Sequence, residues 1–563
     1  MTNIRPLALI VAVSLSAAFA SPQPDCGSAL CGLVASGTLS SLRWPDFSGY
    51  KVQVQTFYEP TGYAPAWIHG GEVTSQAKAL IEILKAADAK GLDFEDYDGS
   101  RWSDRLARLQ IATNPKVESI IAEFDLALTI SSMRYISDLH FGRVNPGLFH
   151  SSPSGKREEL NLPSFLRQQV IDAKDVKAGL EKIEPPYEGY RRTQRALQQY
   201  MTLAREDQIA SLPITKKTVE PGGSYDRIAQ LTSLLRQIGD LPSDANLSLD
   251  SNRYDARLVD AVKHFQLRHG LEPDGRLGVA TVAQLNIPLN QRVRQLKLTL
   301  ERWRWLPATF PRPPIVVNIP EFVLRAASDQ YRTELGMKVV VGKAYRHQTP
   351  VFAAELKRVV FRPYWNVPLS IQRAELVPKI AEDSAYLMKN HYEVVTPQNT
   401  VLTDGIVDQT MLAQLRSGKL RIRQIPGPEN ALGLIAFMFP NEHDVYLHST
   451  PATELFSKSR RDFSHGCIRA EKPQQLAEWV LRNQPPWTPE RIAEAMNGTK
   501  TLQVNLDRPI PVLIVYATAV VLESGEVRFF EDIYGLDAQL SAALANGPSH
   551  GSKTEARMQV SPQ

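Results

Sequence analysis

The sequence predicts a multidomain chain in which an α-helical scaffold domain and a small three-helix bundle precede a mostly β domain with a cap insert. The length of 563 residues corresponds to about three or four domains of about 100–200 residues each. In the first half, apolar residues recur at helical spacing. After "PRPP", at residues 311–314, short β-branched and aromatic runs alternate with Pro and Gly turns, a pattern that favours β-strands.

The first 20 residues have the layout of a secretory signal peptide. Arg5 precedes an apolar stretch from about Leu7 to Phe19, and the small-residue triplet that ends at Ala20 fits a cleavage site. A membrane anchor is the alternative, but a span needs about 20 apolar residues. We therefore expect cleavage after Ala20, export, and no stable membrane span afterwards.

The charge balance gives no reason to expect nucleic acid as a partner, because 64 basic residues face 60 acidic ones. Of the three cysteines, Cys26 and Cys31 lie in the Ser-, Gly- and Pro-rich segment 21–45, which we interpret as a linker. They are either a small disulfide loop or two incidental thiols. Cys467 is left without a partner, and in an exported protein this indicates a reactive thiol.

Residues 46–215 are predicted to form the helical scaffold domain. The segment "SQAKALIEILKAADAKGL" repeats apolar residues at helical spacing, and Gly91 is placed as a stop. The apolar positions are Ala77, Leu80, Ile81, Leu84 and Ala87. No cluster of catalytic residue types stands out in this region.

Residues 222–286 predict three short helices joined by tight turns, with Gly270 at a C-terminal cap. The segment "VKHFQLRHGLEPDGRLGVATVAQLN" resembles the small three-helix peptidoglycan-binding domain. That resemblance implies attachment to the cell wall, although some copies serve only as spacers. Residues 287–312 are predicted to be a linker helix, in which "LTLERWRWLP" favours a packing seam between domains over a ligand surface.

The β domain is predicted over residues 313–485, with a less apolar cap insert at about 370–430. Residues 486–540 are predicted to be a C-terminal β extension, in which "PVLIVYATAVVL" is typical of a buried strand. The tail 541–563 is polar, and we expect it to be flexible.

The segment "FSHGCIR", residues 463–469, places Cys467 beside Gly466 and His465. A cysteine attacks as the thiolate and needs a base or a cation nearby. Two histidines compete for that part: His465 in the same segment, and His448 at the end of the predicted strand "DVYLH". Gly466 would let backbone N–H groups point at one spot, as an oxyanion hole requires.

Zinc binding is a competing interpretation, because His443, His448, His465 and Cys467 are all possible ligands. The sequence has no paired CxxC or HxxxH spacing here, and a glycine-flanked cysteine suits attack on a carbonyl better. We therefore predict neither a metal nor a cofactor.

His448-Ser-Thr-Pro together with Ser464-His-Gly-Cys467-Ile-Arg resembles the signature of the L,D-transpeptidases of the YkuD type. The segments "VVVGKAYRHQTPVF", "FRPYWNVPLSI" and "FMFPNEHDVYLHSTP" resemble the large periplasmic branch of that family, which joins a helical scaffold, a peptidoglycan-binding bundle and a capped catalytic domain. The resemblance implies a YkuD-like β-sandwich and a periplasmic location. Arg469 stands where many smaller members carry Asn.

The resemblance implies a reaction as well. Cys467 would attack the bond between diaminopimelate and D-Ala of a tetrapeptide stem, and the diaminopimelate amine of a second stem would resolve the thioester into a 3→3 cross-link. His448 would be the base or the imidazolium partner of the thiolate. Ser449 would orient the imidazole through its carbonyl or hydroxyl. His465, Gly466 and Cys467 would line the oxyanion pocket.

Four further residues are candidates for substrate binding. Arg469 would pair with a stem carboxylate, or would only brace its loop. Tyr364, Trp365 and Asn366 would line the donor groove, or would pack in a core. The cap would exclude water and so favour an amine acceptor.

The predicted partners are peptidoglycan stem peptides and glycan strands, and the family resemblance implies inhibition by carbapenem-type β-lactams. Two alternatives stay open. One is a related L,D-carboxypeptidase, exchange or wall-protein release activity on the same thioester. The other is an inactive wall-binding scaffold, which the intact His448 and Cys467 argue against.

Overall fold

The computed structural model describes residues 27–111, 116–149, 159–206, 209–213, 217–245, 252–345, 347–383 and 385–547. The predicted signal peptide and Cys26 lie outside these residues. No helix within the described ranges is long and apolar enough to cross a membrane. The predicted fold class is confirmed, since a helical N-terminal region and a helical module precede a mostly β domain.

The N-terminal region is built from helices around one central helix. Its helices are α1 (Ala29–Ser36), α2 (Lys51–Tyr58), α3 (Ser75–Lys85), α4 (Trp102–Ile111), α5 (Val117–Phe141), α6 (Leu162–Leu166), α7 (Val176–Glu181) and α8 (Glu188–Glu206), and the short strands β1 (Ile68–His69) and β2 (Glu72–Val73) precede α3. The predicted apolar face of α3 is buried. Helix α5 is buried on every side from Phe124 to Leu139, as expected of a helix at the centre of a core.

The structure differs from the predicted linker at residues 21–45. Helix α1 lies inside this segment, and Leu30 and Val34 are buried in the core that also contains residues of α3 and α5. Cys31 is buried and disulfide-bonded. A helix of about two turns is too short for its hydrophobic periodicity to be recognised against a Ser- and Gly-rich background.

The three helices predicted for residues 222–286 are present. They are α9 (Ile228–Gln237), α10 (Ala256–Arg268) and α11 (Val279–Leu285). Their apolar faces share one small core. Gly270 follows α10 with a φ of 68°, the left-handed conformation that its predicted capping position requires.

Helix α12 (Leu289–Trp303) is the predicted linker helix, and its end forms the predicted seam. Trp303 packs on Tyr187, and Trp305 stacks on Phe149, each with ring centroids 5.6 Å apart. The tryptophans therefore join the linker helix to the scaffold region rather than forming an open ligand surface.

The β domain contains one large sheet and a smaller cap sheet. Its strands are β3 (Ile315–Asn318), β4 (Val323–Ala327), β5 (Thr333–Gly342), β6 (Phe352–Phe361), β7 (Trp365–Asn366), β8 (Tyr392–Val395), β9 (Val401–Thr403), β10 (Arg421–Gln424), β11 (Ile435–Met438), β12 (Leu447–His448), β13 (Asp462–Ser464), β14 (Ile468–Ala470) and β15 (Leu502–Val515). Its helices are α13 (Leu369–Ile371), α14 (Val377–Glu382), α15 (Tyr386–Lys389), α16 (Gln409–Ser417), α17 (Pro473–Leu481) and α18 (Pro489–Asn497).

The large sheet has the strand order β13-β5-β14-β12-β11-β6-β15-β3-β4, and β4 also pairs with β5. The sheet therefore closes on itself, and one face of its strands fills the apolar interior. Strand β15 lies between β6 and β3. The catalytic domain thus continues past residue 485, where the predicted extension begins, because this late strand completes the sheet.

The cap insert is a folded unit with its own core. Its sheet has the order β7-β10-β8-β9, and its buried residues include Leu376, Val394 and Ile422. The predicted limits of about 370–430 are close to those observed, but the cap sheet begins earlier, at Trp365 in β7.

The C-terminal region packs on the linker helix. A hairpin of β16 (Ala519–Val521) and β17 (Val527–Phe529) is followed by α19 (Leu536–Ala545), and the hairpin shares a core with α8 and α12. The predicted flexible tail at 541–563 differs from the structure up to residue 545, where α19 ends. Residues 548–563 lie outside the described ranges.

Candidate active site

Strand pairing places the segments that contain the predicted nucleophile and base side by side. Strands β12 and β14 run parallel, with Leu447 opposite Ile468 and His448 opposite Arg469. Leu447 and Ile468 are fully buried in the interior of the sheet. Because successive side chains of a strand alternate between the two faces, His448 and Arg469 project from the other face, and so does Cys467, which immediately precedes β14.

His448 is a buried, neutral imidazole. Its side chain is 4% exposed, and Nδ1 lies 2.5 Å from the carbonyl oxygen of Ser449. Nδ1–H donates to that carbonyl, which leaves Nε2 as the ring nitrogen with a free lone pair. Burial lowers the pKa of His448 to about 4, and the charge of Arg469 acts in the same direction. The imidazole is therefore uncharged at neutral pH.

The backbone carbonyl of Ser449 orients His448, and its hydroxyl bonds the backbone of the neighbouring segment. Its carbonyl fixes the His448 ring, whereas its hydroxyl accepts from the Leu434 N–H at 2.7 Å and donates to the Leu432 carbonyl at 3.2 Å. A side chain on Gly433 would place a Cβ only 2.1 Å from the Ser449 Oγ. Of the two predicted ways of orienting the imidazole, the structure contains the one through the carbonyl.

Cys467 is a half-buried free thiol. Its Sγ donates to the carbonyl oxygen of Asp444 at 3.7 Å. Burial raises the pKa of the Cys467 thiol, while the backbone N–H of Tyr446 and the charge of Arg469 oppose that rise. Both shifts favour a neutral thiol and a neutral imidazole over a thiolate–imidazolium pair in the resting site.

A glycine is required at position 466 because of its positive φ angle, not because a side chain would clash with its neighbours. Its φ is 116°, and the nearest atoms to an added Cβ are 3.9 Å away or more. Its N–H donates to Ser464 Oγ at 3.1 Å, and that hydroxyl donates to the Cys467 carbonyl at 2.6 Å. The Gly466 N–H, which was predicted to contribute to an oxyanion pocket, is therefore hydrogen-bonded to Ser464 within its own loop.

His465 points toward the cap. Its Nε2 lies 2.7 Å from Oε1 of Glu375, a residue of the π-helical turn Gln372–Leu376 in the cap insert. Its ring centroid lies 4.8 Å from that of His347. The histidine beside the nucleophile therefore links the catalytic loop to the cap, and its place in an oxyanion pocket stays a prediction.

Arg469 lies beside the thiol and has a hydrogen-bond donor that is not used within the described residues. Its Nε is buried and has no hydrogen-bond partner among the described residues. Burial lowers the pKa of Arg469, and the nearby Cys467 and Glu454 partly offset that effect. A half-buried guanidinium in this state can receive a carboxylate.

Sequence analysis missed a second arginine on the same face, Arg358 of β6. Val359 and Phe361 of the same strand point into the core, so Arg358, which directly precedes Val359, projects from the opposite face. Its Cα pairs with Met438 of β11, the strand next to β12. Burial raises the pKa of Tyr446, and the charge of Arg358 partly opposes that rise. Arg358 Nε is also buried without a partner in the described part of the chain.

The three candidates for the donor groove lie at the base of the cap. Trp365 and Asn366 form β7, opposite Gln424 and Arg423 of β10. Trp365 packs against the cap core, which favours the packing alternative for this residue. Tyr364 is 40% exposed, and the Arg423 guanidinium lies 4.2 Å from its ring centroid.

The zinc alternative requires a cluster of ligating side chains. Within the described ranges, no group of three or more His, Cys, Asp or Glu side chains is arranged to hold a metal ion. His443 packs its ring 5.0 Å from that of Phe352.

Comparison with known proteins identifies three domains in the chain. Residues 52–197 match the family described as "Scaffold domain", residues 224–285 the "Putative peptidoglycan binding domain", and residues 312–505 the "L,D-transpeptidase catalytic domain". A curated relative from Haemophilus influenzae, described as "Putative L,D-transpeptidase", is 34% identical over 232 residues, which cover 41% of this chain and 46% of that protein. The match thus spans less than half of the relative's length. The chain contains an L,D-transpeptidase catalytic domain of the YkuD family, preceded by a scaffold domain and a peptidoglycan-binding domain.

Proposed function

We propose that the chain is a peptidoglycan L,D-transpeptidase with Cys467 as its nucleophile. The observation that carries this proposal is the placement of Cys467, His448 and Arg469 on one face of two adjacent parallel strands, within a domain of this family. We further propose that the protein acts outside the cytoplasm, in the periplasm, where stem peptides and glycan strands are its partners.

His448 acts as a general base. Because the resting thiol and imidazole are both neutral, the thiol proton must leave as the sulfur attacks. Nε2 of His448 takes that proton, while its Nδ1–H stays bonded to the Ser449 carbonyl. The charge of Arg469 stabilises the thiolate and disfavours a resting imidazolium. The pair is therefore activated by substrate contact rather than before it.

The acyl transfer then proceeds in two balanced steps. In the first, Sγ of Cys467 bonds to the carbonyl carbon of diaminopimelate, the bond to D-Ala breaks, and the proton on His448 passes to the departing amine. In the second, the side-chain amine of another diaminopimelate attacks the thioester and gives its proton to His448. The new amide is a 3→3 cross-link, and the proton returns to the released sulfur.

The substrate's carboxylates meet the two arginines of the catalytic face. Stem peptides carry carboxylates near the scissile bond, and Arg469 and Arg358 each have a buried Nε without a partner among the described residues. A carboxylate would pair with these guanidinium groups through charge-assisted hydrogen bonds. Arg469, which is beside the thiol, would position the donor stem, and Arg358 would extend the cationic surface along the sheet.

The cap favours transfer over hydrolysis. It touches the catalytic loop through Glu375 and His465, so that a bound donor would be covered on the side of the nucleophile. Exclusion of water from a thioester leaves an amine as the effective acceptor.

Product analysis on defined muropeptides tests the proposal. We expect the purified protein to convert tetrapeptide stems into 3→3 cross-linked dimers with release of D-Ala, and Cys467→Ala to form none. Tripeptide alone would identify a carboxypeptidase, and incorporation of an added D-amino acid would identify an exchange enzyme. The absence of every product would support the inactive-scaffold alternative.

A further inference from the structure

One cavity among the described residues lies outside the catalytic domain. It has a volume of about 190 Å³ and lies where α8, the peptidoglycan-binding module, the start of α12 and β17 meet. Its volume is that of roughly six water molecules at about 30 Å³ each. The lining includes Tyr200, Phe265, Arg268, Arg292 and Phe529. Four separate segments of the chain thus converge on two buried guanidinium groups.

The charge of Arg268 is neutralised inside the protein. Its Nε and Nη2 donate to the two carboxylate oxygens of Asp240 at 2.6 and 2.5 Å. Its Nη1 donates to the Val527 carbonyl at 3.1 Å. Asp240 also bonds the exposed His264 at 2.7 Å. This arginine therefore has a complete set of partners.

The charge of Arg292 is not neutralised in the same way. The side chain is 4% exposed, and its Nη groups donate to neutral acceptors, the carbonyl and amide oxygens of Gln284 at 3.1 and 2.9 Å and the amide oxygen of Gln295 at 3.1 Å. No carboxylate in the described part of the chain pairs with it. Burial and the positive charge of Arg268 lower the pKa of Arg292 to about 9, the response of a cation that lacks a counter-charge.

The remaining walls are apolar or uncharged. Leu234, Leu285 and Leu289 line the cavity together with Phe529. His269 is buried, and burial, with the nearby Arg292 and Arg268, holds its pKa well below the usual range, so it adds no charge. The cavity thus combines a buried cation that has no carboxylate partner in the described ranges, and whose guanidinium lies 4.9 Å from the Phe529 ring centroid, with walls that are partly aliphatic and partly polar.

We propose that this cavity binds the carboxylate of a small aliphatic acid, with Arg292 as the counter-ion and the leucine wall receiving the alkyl part. A buried cation without a counter-charge is costly, and a bound carboxylate would reduce that cost. Two sources supply this chemistry at a cell wall: the terminal carboxylate of a stem peptide, and a free small carboxylic acid. Either ligand would connect the peptidoglycan-binding module to the linker helix.

Ligand-observed NMR on the full chain tests the proposal, with sodium propionate as the probe at constant ionic strength. Propionamide serves as the neutral isostere, and inorganic phosphate as an anion without an alkyl group. Two substitutions remove the site in different ways. Arg292→Gln deletes the cation, and Gln284→Glu keeps the cation but places an internal carboxylate where the ligand would bind. Arg292→Lys is the control that retains the charge.

We expect propionate to bind the wild-type chain and Arg292→Lys, and to bind Arg292→Gln and Gln284→Glu at least about tenfold more weakly. Equal affinity in all four proteins would overturn the proposal, as would binding of propionamide or phosphate that matches propionate. If Arg292→Gln does not fold, the propionate affinity of Gln284→Glu relative to the wild type decides whether the proposal holds.

A stem tetrapeptide, titrated into the Cys467→Ala chain so that nothing turns over, distinguishes the two sources. If Gln284→Glu weakens the tetrapeptide, the ligand is a stem terminus. If Gln284→Glu weakens only propionate, the ligand is a free small acid.

Discussion

Two buried polar sites, one in the scaffold and one on the catalytic face, satisfy their hydrogen bonds to different degrees. In the scaffold, Asp125 of α5 is fully buried. Its carboxylate accepts from the Ala66 and Trp67 N–H groups at 3.0 and 2.8 Å and from the Tyr58 hydroxyl at 2.7 Å. On the catalytic face, Arg469 and Arg358 each retain a buried Nε without a partner in the described ranges.

The difference indicates what each site is for. A buried polar group with all its partners in place stabilises one arrangement of the chain. An open Nε is not confined to the catalytic face, since Arg134 of the scaffold has one as well among the described residues, so the position of Arg469 beside the thiol is what favours a substrate carboxylate there. We therefore expect substitutions at Asp125 to change stability without changing chemistry, and substitutions on the catalytic face to do the opposite.

The largest effect is expected at His448. His448→Ala removes the general base, and we expect kcat to fall by about 10²–10⁴-fold while the thermal unfolding midpoint stays close to that of the wild type. Steady-state release of D-Ala from a tetrapeptide measures kcat. A variant with wild-type kcat would show that another group takes the thiol proton.

Substitution at the scaffold site gives the converse result. Asp125→Ala leaves the Ala66 and Trp67 N–H groups without their acceptor, whereas the Tyr58 hydroxyl keeps the Thr129 hydroxyl as a partner. The loss costs about 2 kcal/mol or more, and the unfolding midpoint of the helical region should fall by roughly 4–8 °C. We expect kcat and KM at 25 °C to be unchanged. A large loss of kcat in a folded Asp125→Ala protein would break the separation between the two sites.

The arginines of the catalytic face should affect substrate affinity. Arg469→Gln and Arg358→Gln each remove a donor for a substrate carboxylate, so KM for the tetrapeptide should rise by about 10–100-fold. Arg325 is the matched control, because its guanidinium already pairs with Glu321 at 2.5 Å. The interpretation fails if Arg325→Gln raises KM as much as Arg469→Gln does.

The pH dependence of kcat/KM distinguishes a buried histidine with a lowered pKa from a histidine with the usual pKa. Protonation of His448 removes the lone pair that accepts the thiol proton, so activity must fall as pH drops through the pKa of the imidazole. Burial lowers that pKa to about 4, and the acidic limb of kcat/KM should therefore lie near pH 4 rather than near about 6.5, the usual value for histidine. An acidic limb close to 6.5 would show that the imidazole is solvated before the substrate binds.

The smallest effect is expected at the contact between the loop and the cap. Glu375→Gln weakens the partly exposed pair with His465, which is worth about 1 kcal/mol or less. The ratio of hydrolysis to transfer should rise by no more than about fivefold. His465→Gln should have the same effect, and the double variant no more than either one. Independent, additive effects would indicate that the two side chains act separately.

Local patterns predicted the helical order and the central pair of the site. The α3 face and the module helices follow from spacing alone, and "FSHGCIR" with "DVYLH" predicted Cys467 and His448, whose segments the structure places side by side. The features that were missed depend on long-range pairing. Arg358 reaches the catalytic face only through the pairing of β6, β11 and β12, and β15 joins the sheet after a long interruption. The Gly466 N–H bond to Ser464 is set by loop geometry, which residue types do not specify.

The central claim is that Cys467 is the nucleophile that becomes acylated, and intact-protein and peptide mass spectrometry measures its acylation directly. After incubation with a carbapenem, the account predicts one adduct per chain, located on the peptide that contains Cys467. It also predicts that the adduct forms far more slowly in His448→Ala and is absent in Cys467→Ala. An unmodified wild-type chain, or an adduct that persists in Cys467→Ala, would contradict it.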